Sequence, residues 1–187
     1  MRVILDRQHL GKPSKPNDHG AVNGELRETD LTSAYIEHAR DAILEAGGTV
    51  YTITDGEYGD RHKRAVAWAK QGSGPCAYVA CHINAGGGKY ALTEHDARSA
   101  GGKSLAWSVV TETAKMAGIV GGKVVALKDG ERGLVCIDGI YAGPAGMSGI
   151  IYEPGFIDFA GHADLWTPAG LRLVGQALAK GVMAWAS

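Results

Sequence analysis

Short apolar runs alternate with helical stripes along most of this chain, and few architectures satisfy that order. RVILD (2–6), GTVYTIT (48–54) and CAYVACHIN (76–84) have strand length and strand composition. Between them, apolar residues recur at three- and four-residue spacing. In 29–46 these are Leu31, Tyr35, Ala39, Ala42, Ile43 and Ala46, and Gly47-Gly48 stops the stripe. Further helices are expected at 60–70, 100–117 and 167–185. KYALTEH (89–95) reads as a fourth strand. GKVVALK (122–128) and GLVCID (133–138) read as strands or a hairpin, and SGIIYEPGF (148–156) as an apolar run ending in an acid. The alternation predicts an α/β class: a three-layer α/β/α fold whose mainly parallel central sheet is covered by helices on both faces.

The chain has 187 residues, enough for a proper core in one domain, with no internal repeat and no linker. A single domain over 1–187 is expected, without a separate second module. The formal net charge of -1 gives no electrostatic reason to expect nucleic acid or an anionic membrane as partner. Three widely spaced cysteines without a CxxC pair argue against a disulfide framework or a structural zinc knot, so buried thiols are expected. The apolar part of MRVILDRQHLG is too short for a signal peptide, and no run reaches the length of a membrane span. Synthesis in the cytoplasm, without membrane insertion, is the expectation.

Chemistry enters where apolar runs end. The first leads to His9, the third to His82 and the last to Glu153. Active sites of α/β sheets lie beyond the carboxyl ends of the strands, so parallel strands bring these three to one edge. Residues 7–27, rich in Gly, Pro, Asn, Lys and Asp, form a long loop, and such loops are usually functional. That loop is long enough to return Glu28, at the start of the first helix, to the same edge. Two imidazoles and one carboxylate suit zinc with a fourth position open to water, leaving the other carboxylate as general base. Two rival motifs are weaker. ARSAGGKS (97–104) fits a phosphate loop only if Ala97 replaces its first glycine, and it reads better as a helix N-terminus. GMSGI (146–150) misses the serine elbow pattern.

LDRQHLG, LRETDLT, VACHINAGG and IYEPGF together resemble, in order and spacing, the landmarks of the zinc-dependent N-acetylmuramoyl-L-alanine amidases of the amidase-3 type. The resemblance spans residue 3 to the terminal helix. It implies that His9, Glu28 and His82 hold one zinc ion per chain and that Glu153 is the catalytic carboxylate. RHKRAVAWA (61–69) resembles the family's arginine-bearing helix, with Arg64 at the arginine position. The chain departs from the family pattern at Arg7-Gln8, Leu10, Ala80-Cys81 and Asp158-Phe159, and none of these removes a ligand.

The implied reaction is hydrolysis of the amide joining N-acetylmuramic acid to L-alanine, with peptidoglycan glycopeptide as substrate. The rival readings are another zinc peptidase or amidohydrolase on the same scaffold, and a non-catalytic peptidoglycan-binding relative. A chain without an export signal fits a phage endolysin released through a membrane lesion to act on the wall. Asn84, on the strand face of His82, is a candidate for a hydrogen bond to a metal ligand or to substrate. Arg64 reads as the partner of a carboxylate or a substrate contact. His19, His95 and His162 fall in polar stretches and read as solvated, with His19 a candidate substrate contact from the long loop. Trp68, Trp107 and Trp185 lie on helix stripes and read as core, while Trp166, after a loop, is a candidate ligand contact. Glycines 86–88 are expected to leave room for a bulky substrate.

Overall fold

The computed structural model describes residues 1–186. Strand β1 (Arg2–Arg7) leads into a long loop carrying a small hairpin, β2 (Val22–Asn23) and β3 (Leu26–Arg27). Then follow α1 (Glu28–Glu45), β4 (Thr49–Ile53), α2 (Tyr58–Ala69), β5 (Cys76–Cys81), β6 (Ala91–Asp96) and α3 (Ala100–Thr113). The chain continues with β7 (Gly122–Leu127), α4 (Asp138–Tyr141), β8 (Met147–Glu153) and α5 (Pro168–Trp185), with 3-10 segments at Leu134–Cys136 and Ala160–Trp166. Six strands form one sheet in the order β4-β1-β5-β8-β6-β7. Every neighbouring pair is parallel except β6 with β8, which is antiparallel.

The strands bury both faces, so their side chains sort by parity. Val3, Leu5, Ala77, Val79, Cys81, Ile150 and Tyr152 point to one face and pack with residues of α1, α3 and α5. Ile4, Cys76, Tyr78, Ala80 and Ile151 point to the other, where α2, α4 and the 3-10 turn supply a smaller cover. His82 follows Cys81 and Glu153 lies two residues after Ile151, so the strand alternation directs both toward the thinly covered face. Local chemistry agrees with the element ends. Ser99 caps α3 by accepting from Gly102 N–H, and Thr167 caps α5 by accepting from Gly170 N–H, with Pro168 in the first turn. The capping role of Ser99 is the helix N-terminus expected for 97–104.

Five local expectations are corrected. GLVCID is not a strand: Leu134–Cys136 forms a 3-10 turn and Asp138 opens α4, so its apolar residues cover the sheet from above. Trp107 is not core, being half exposed on the outer side of α3, while Trp68 and Trp185 are partly buried. His95 is buried in β6, and His162 is fully buried, its Nδ1 accepting from Phe156 N–H at 2.9 Å. Trp166 is buried in the main core rather than facing a ligand. All three cysteines are buried and free, as expected.

Candidate metal centre

The carboxyl ends of β1, β5 and β8 open into a cleft of about 800 Å³. His9, Glu28, His82 and Glu153 all line it. One ligand atom from each of His9, Glu28 and His82 lies within 4.8 Å of the others. His82 Nδ1 is 2.9 Å, and His9 Nε2 3.6 Å, from the same oxygen, Glu28 Oε1. The two imidazole rings meet edge to face with centroids 5.1 Å apart.

Each ligand atom is held by its own local structure. Glu28 is the first residue of α1, and its carboxylate accepts from Ala21 N–H at 2.6 Å and Ile83 N–H at 2.9 Å. The long loop closes on it through Gly20. A Cβ on Gly20 would stand 2.2 Å from Glu28 Oε2 and 2.8 Å from the His9 ring, and its φ of +65° favours glycine independently. His9 also has a positive φ, 65°, alone among the described non-glycine residues. Such a conformation persists only where surrounding contacts enforce it.

Arg61 provides that enforcement. It is fully buried, pairs with the buried Asp6 at the end of β1, and donates to the carbonyls of Gly56, Arg7 and Leu10. It therefore clamps both sides of His9. Breaking a buried pair of this kind costs about 3–5 kcal/mol.

The electrostatics separate the two acids of the cleft. Burial works to raise the Glu28 pKa, but the hydrogen bond and charge of His82, the charge of His9 and the Ala21 N–H outweigh it, and the carboxyl lies below its usual range. Burial works to lower His82, yet contacts with Cys136 and Glu28 carry it up to about 10. A proton shared between His82 and Glu28 competes with a cation for the same atoms. Burial lowers His9. Glu153 goes the other way: burial raises it, His82 opposes, and the negative charges of Glu94 and Glu28 add, to a net value of about 7.

Asn84 donates from Nδ2 to Glu153 Oε2. Its own backbone is fixed by Gly155 and Ile157, in a bridge between Asn84 and Phe156. The glycine loop that follows is strapped by Asp158, which accepts from Gly86 N–H at 2.8 Å and Gly87 N–H at 3.0 Å. Gly86 and Gly87 have positive φ and open space where a Cβ would stand, whereas a Cβ on Gly88 would strike Phe156. Backbone conformation and packing thus account for glycine here, and the space beside 86 and 87 stays open.

Arg64 does not reach the cleft. It pairs with Asp55 at 2.8 Å near the surface, and the buried helix arginine is Arg61, three residues earlier. His19 is exposed and does not line the cleft; its neighbour Asp18 does, with Oδ2 2.9 Å from His9 Nδ1. Sequence reasoning also missed Tyr58, Glu94, Arg132 and Cys136 on the cleft wall. Only their charge or type marked them, because they come from α2, β6 and the segment before α4.

The donor set fits a metal such as zinc. Two imidazole nitrogens and a carboxylate oxygen converge, each oriented by a further contact, and the cleft beside them is open for water or substrate.

No protein-family model matches the sequence, and no curated protein matches it. Solved structures do match. The CwlD amidase from Clostridioides difficile, in complex with the GerS lipoprotein, aligns with a TM-score of 0.75 at 18% identity, covering 98% of this chain and 97% of that one. The N-acetylmuramoyl-L-alanine amidase AmiC2 of Nostoc punctiforme aligns with a TM-score of 0.75 at 18% identity, covering 99% and 96%. The catalytic domain of the CD27L endolysin targeting Clostridia difficile aligns with a TM-score of 0.68 at 16% identity, covering 98% and 97%. Over nearly its whole length, this chain has the fold of those three structures.

Proposed function

We propose that this protein is a zinc-dependent N-acetylmuramoyl-L-alanine amidase, cleaving the amide between N-acetylmuramic acid and L-alanine in peptidoglycan. The observation that carries the reading is the meeting of His9, Glu28 and His82 in one open cleft with Glu153. The shared fold supports it from a second direction.

His9 Nε2, Glu28 Oε1 and His82 Nδ1 are the atoms that would hold the metal. When bound, zinc supplies Lewis acidity, lowering the pKa of water toward about 7 and polarising a carbonyl oxygen. The rest is the work of this chain. Glu153 takes a proton from the attacking water, and a carboxyl with a pKa of about 7 is well matched to that step at neutral pH. Asn84 holds one Glu153 oxygen and leaves the other to carry the proton. Glu153, once protonated, donates to the nitrogen of the leaving alanine as the C–N bond breaks. The products are a glycan strand ending its lactyl group in a carboxylate, and a stem peptide with a free amino terminus.

The decisive test is mass spectrometry of purified sacculi digested by the protein, with and without chelator. A chelator-sensitive release of stem peptides beginning with L-alanine is expected. Release of fragments cut at another peptide bond would assign a different amidohydrolase reaction, and binding without turnover a non-catalytic role. An endolysin role is the biological setting we favour, supported by the fold shared with an endolysin catalytic domain. Expression inside a susceptible bacterium should then lyse cells only after the membrane is permeabilised. Lysis without permeabilisation would count against that setting.

A further inference from the structure

Each histidine of the centre has an outer ring nitrogen turned away from Glu28. His9 Nδ1 lies 2.9 Å from Asp18 Oδ2, and His82 Nε2 lies 3.8 Å from Cys136 Sγ. The two holders come from segments more than a hundred residues apart in sequence, yet they are connected in space. Lys12 Nζ is 3.5 Å from Asp18 Oδ2 and donates to the Tyr58 hydroxyl at 2.9 Å. Lys12 also stands 4.4 Å from the Tyr58 ring centroid. Tyr58 and Cys136 both line the cleft wall, and burial first, then the charge and hydrogen-bonding influence of Cys136, push the phenol above its usual range. The contacts close into a ring. Asp18, Lys12, Tyr58 and Cys136 run around the outside of His9, Glu28 and His82.

The burial of Lys12 gives this ring its weight. Its side chain is only 6% exposed, although it sits in a surface loop rich in polar residues. Burying an ammonium is costly unless it is paired and hydrogen-bonded, and here its partners are one carboxylate and one phenol of the ring. Lysine is strongly hydrated and seldom chosen for such a position without need.

We propose that Lys12 and Tyr58 are positioning residues of the metal centre: they tie Asp18 to Cys136 and so set both histidine rings together. Cys136 orients His82 as Asp18 orients His9, with the His82 Nε2–H donating to sulfur while Nδ1 faces Glu28. Outer partners of metal-binding histidines fix ring orientation and tune affinity in this way. The inference rests on the metal reading above and goes beyond it, because it assigns work to four residues that touch no reacting atom.

The test needs no hydrolysis. Zinc affinity of the full chain is measured by competition with a chromophoric chelator, and the visible absorption of the cobalt-loaded protein reports ligand geometry. Cys136→Ala is expected to weaken zinc binding about tenfold or more and to shift the cobalt bands. Cys136→Ser restores a polar partner for Nε2 and should recover part of the loss. Tyr58→Phe and Lys12→Met should each weaken zinc binding. Combined, they should weaken it by less than the product of the two effects, because both cut the same link. A purely structural role would lower the melting temperature of the chelated protein while leaving zinc affinity and the cobalt spectrum unchanged. That result in all four variants overturns this proposal alone. Wild-type protein that binds no zinc overturns this proposal and the metal reading together.

Discussion

Two acids face the same cleft, and their surroundings treat them in opposite ways. Glu28, at the start of α1, is met by two backbone N–H groups and two imidazoles, and its pKa is lowered. Glu153, at the end of β8, has the Asn84 amide on one oxygen and the negative field of Glu94 and Glu28, and its pKa rises to about 7. Both are largely buried, so burial alone does not decide the charge state. The number and sign of the partners does. Glu28 is surrounded as a permanent anion would be, and Glu153 as a group that gains and loses a proton near neutrality would be.

The largest expected effect is on the first of these regions. Glu28→Gln or His82→Ala should abolish both zinc binding and hydrolysis, read by elemental analysis and product mass spectrometry on one sample. A Glu28→Gln variant that retained stoichiometric zinc would erase the contrast. Next comes Glu153→Gln, which should keep the metal and lose hydrolysis by about 10²- to 10⁴-fold. Asn84→Ala should act more weakly, lowering kcat about tenfold through the lost hydrogen bond to Glu153 and leaving zinc affinity unchanged. An equal loss of zinc in Asn84→Ala would make Asn84 part of the metal centre instead.

The smallest effect is on folding, and its sign differs between the two acids. The folded Glu153 pKa of about 7 lies above the ordinary value of 4.5, so the folded chain binds the extra proton between these limits. In chelated protein, stability should therefore fall as pH rises from 4.5 to 7. Glu153→Gln should escape this fall. Glu28 is lowered, so its contribution is present above pH 4.5 and is lost as pH falls below. Denaturant titrations of the two glutamine variants across pH should diverge from wild type in opposite directions. Parallel curves would show that the two environments do not differ.

How much of this was legible in the sequence follows from the range of the interactions. RVILD, CAYVACHIN and SGIIYE are apolar runs, and a parallel sheet sends the residues after them to one edge. His9, His82 and Glu153 were therefore readable as a set. GLVCID has the same composition but turns as a 3-10 segment, because a short apolar run does not distinguish a strand from a buried turn. Gly133, with φ +98°, begins that turn. Trp107 sits on a helical stripe but on its solvent side, since α3 is already packed through Leu105, Val109 and Val110.

Asp18, Lys12, Tyr58 and Cys136 were not legible at all. Their meaning lies in contacts between three separated segments, and no local period encodes those. The arginine was legible by type but not by position: Arg61 and Arg64 are one helical turn apart, and only the inward one meets Asp6.

The contrast between the two acids is the centre of the account. Zinc content of Glu28→Gln and Glu153→Gln, purified side by side and resupplied with zinc, tests it most directly. The expected result is no stoichiometric zinc in Glu28→Gln and one ion per chain in an inactive Glu153→Gln. Equal zinc content in the two variants would contradict it.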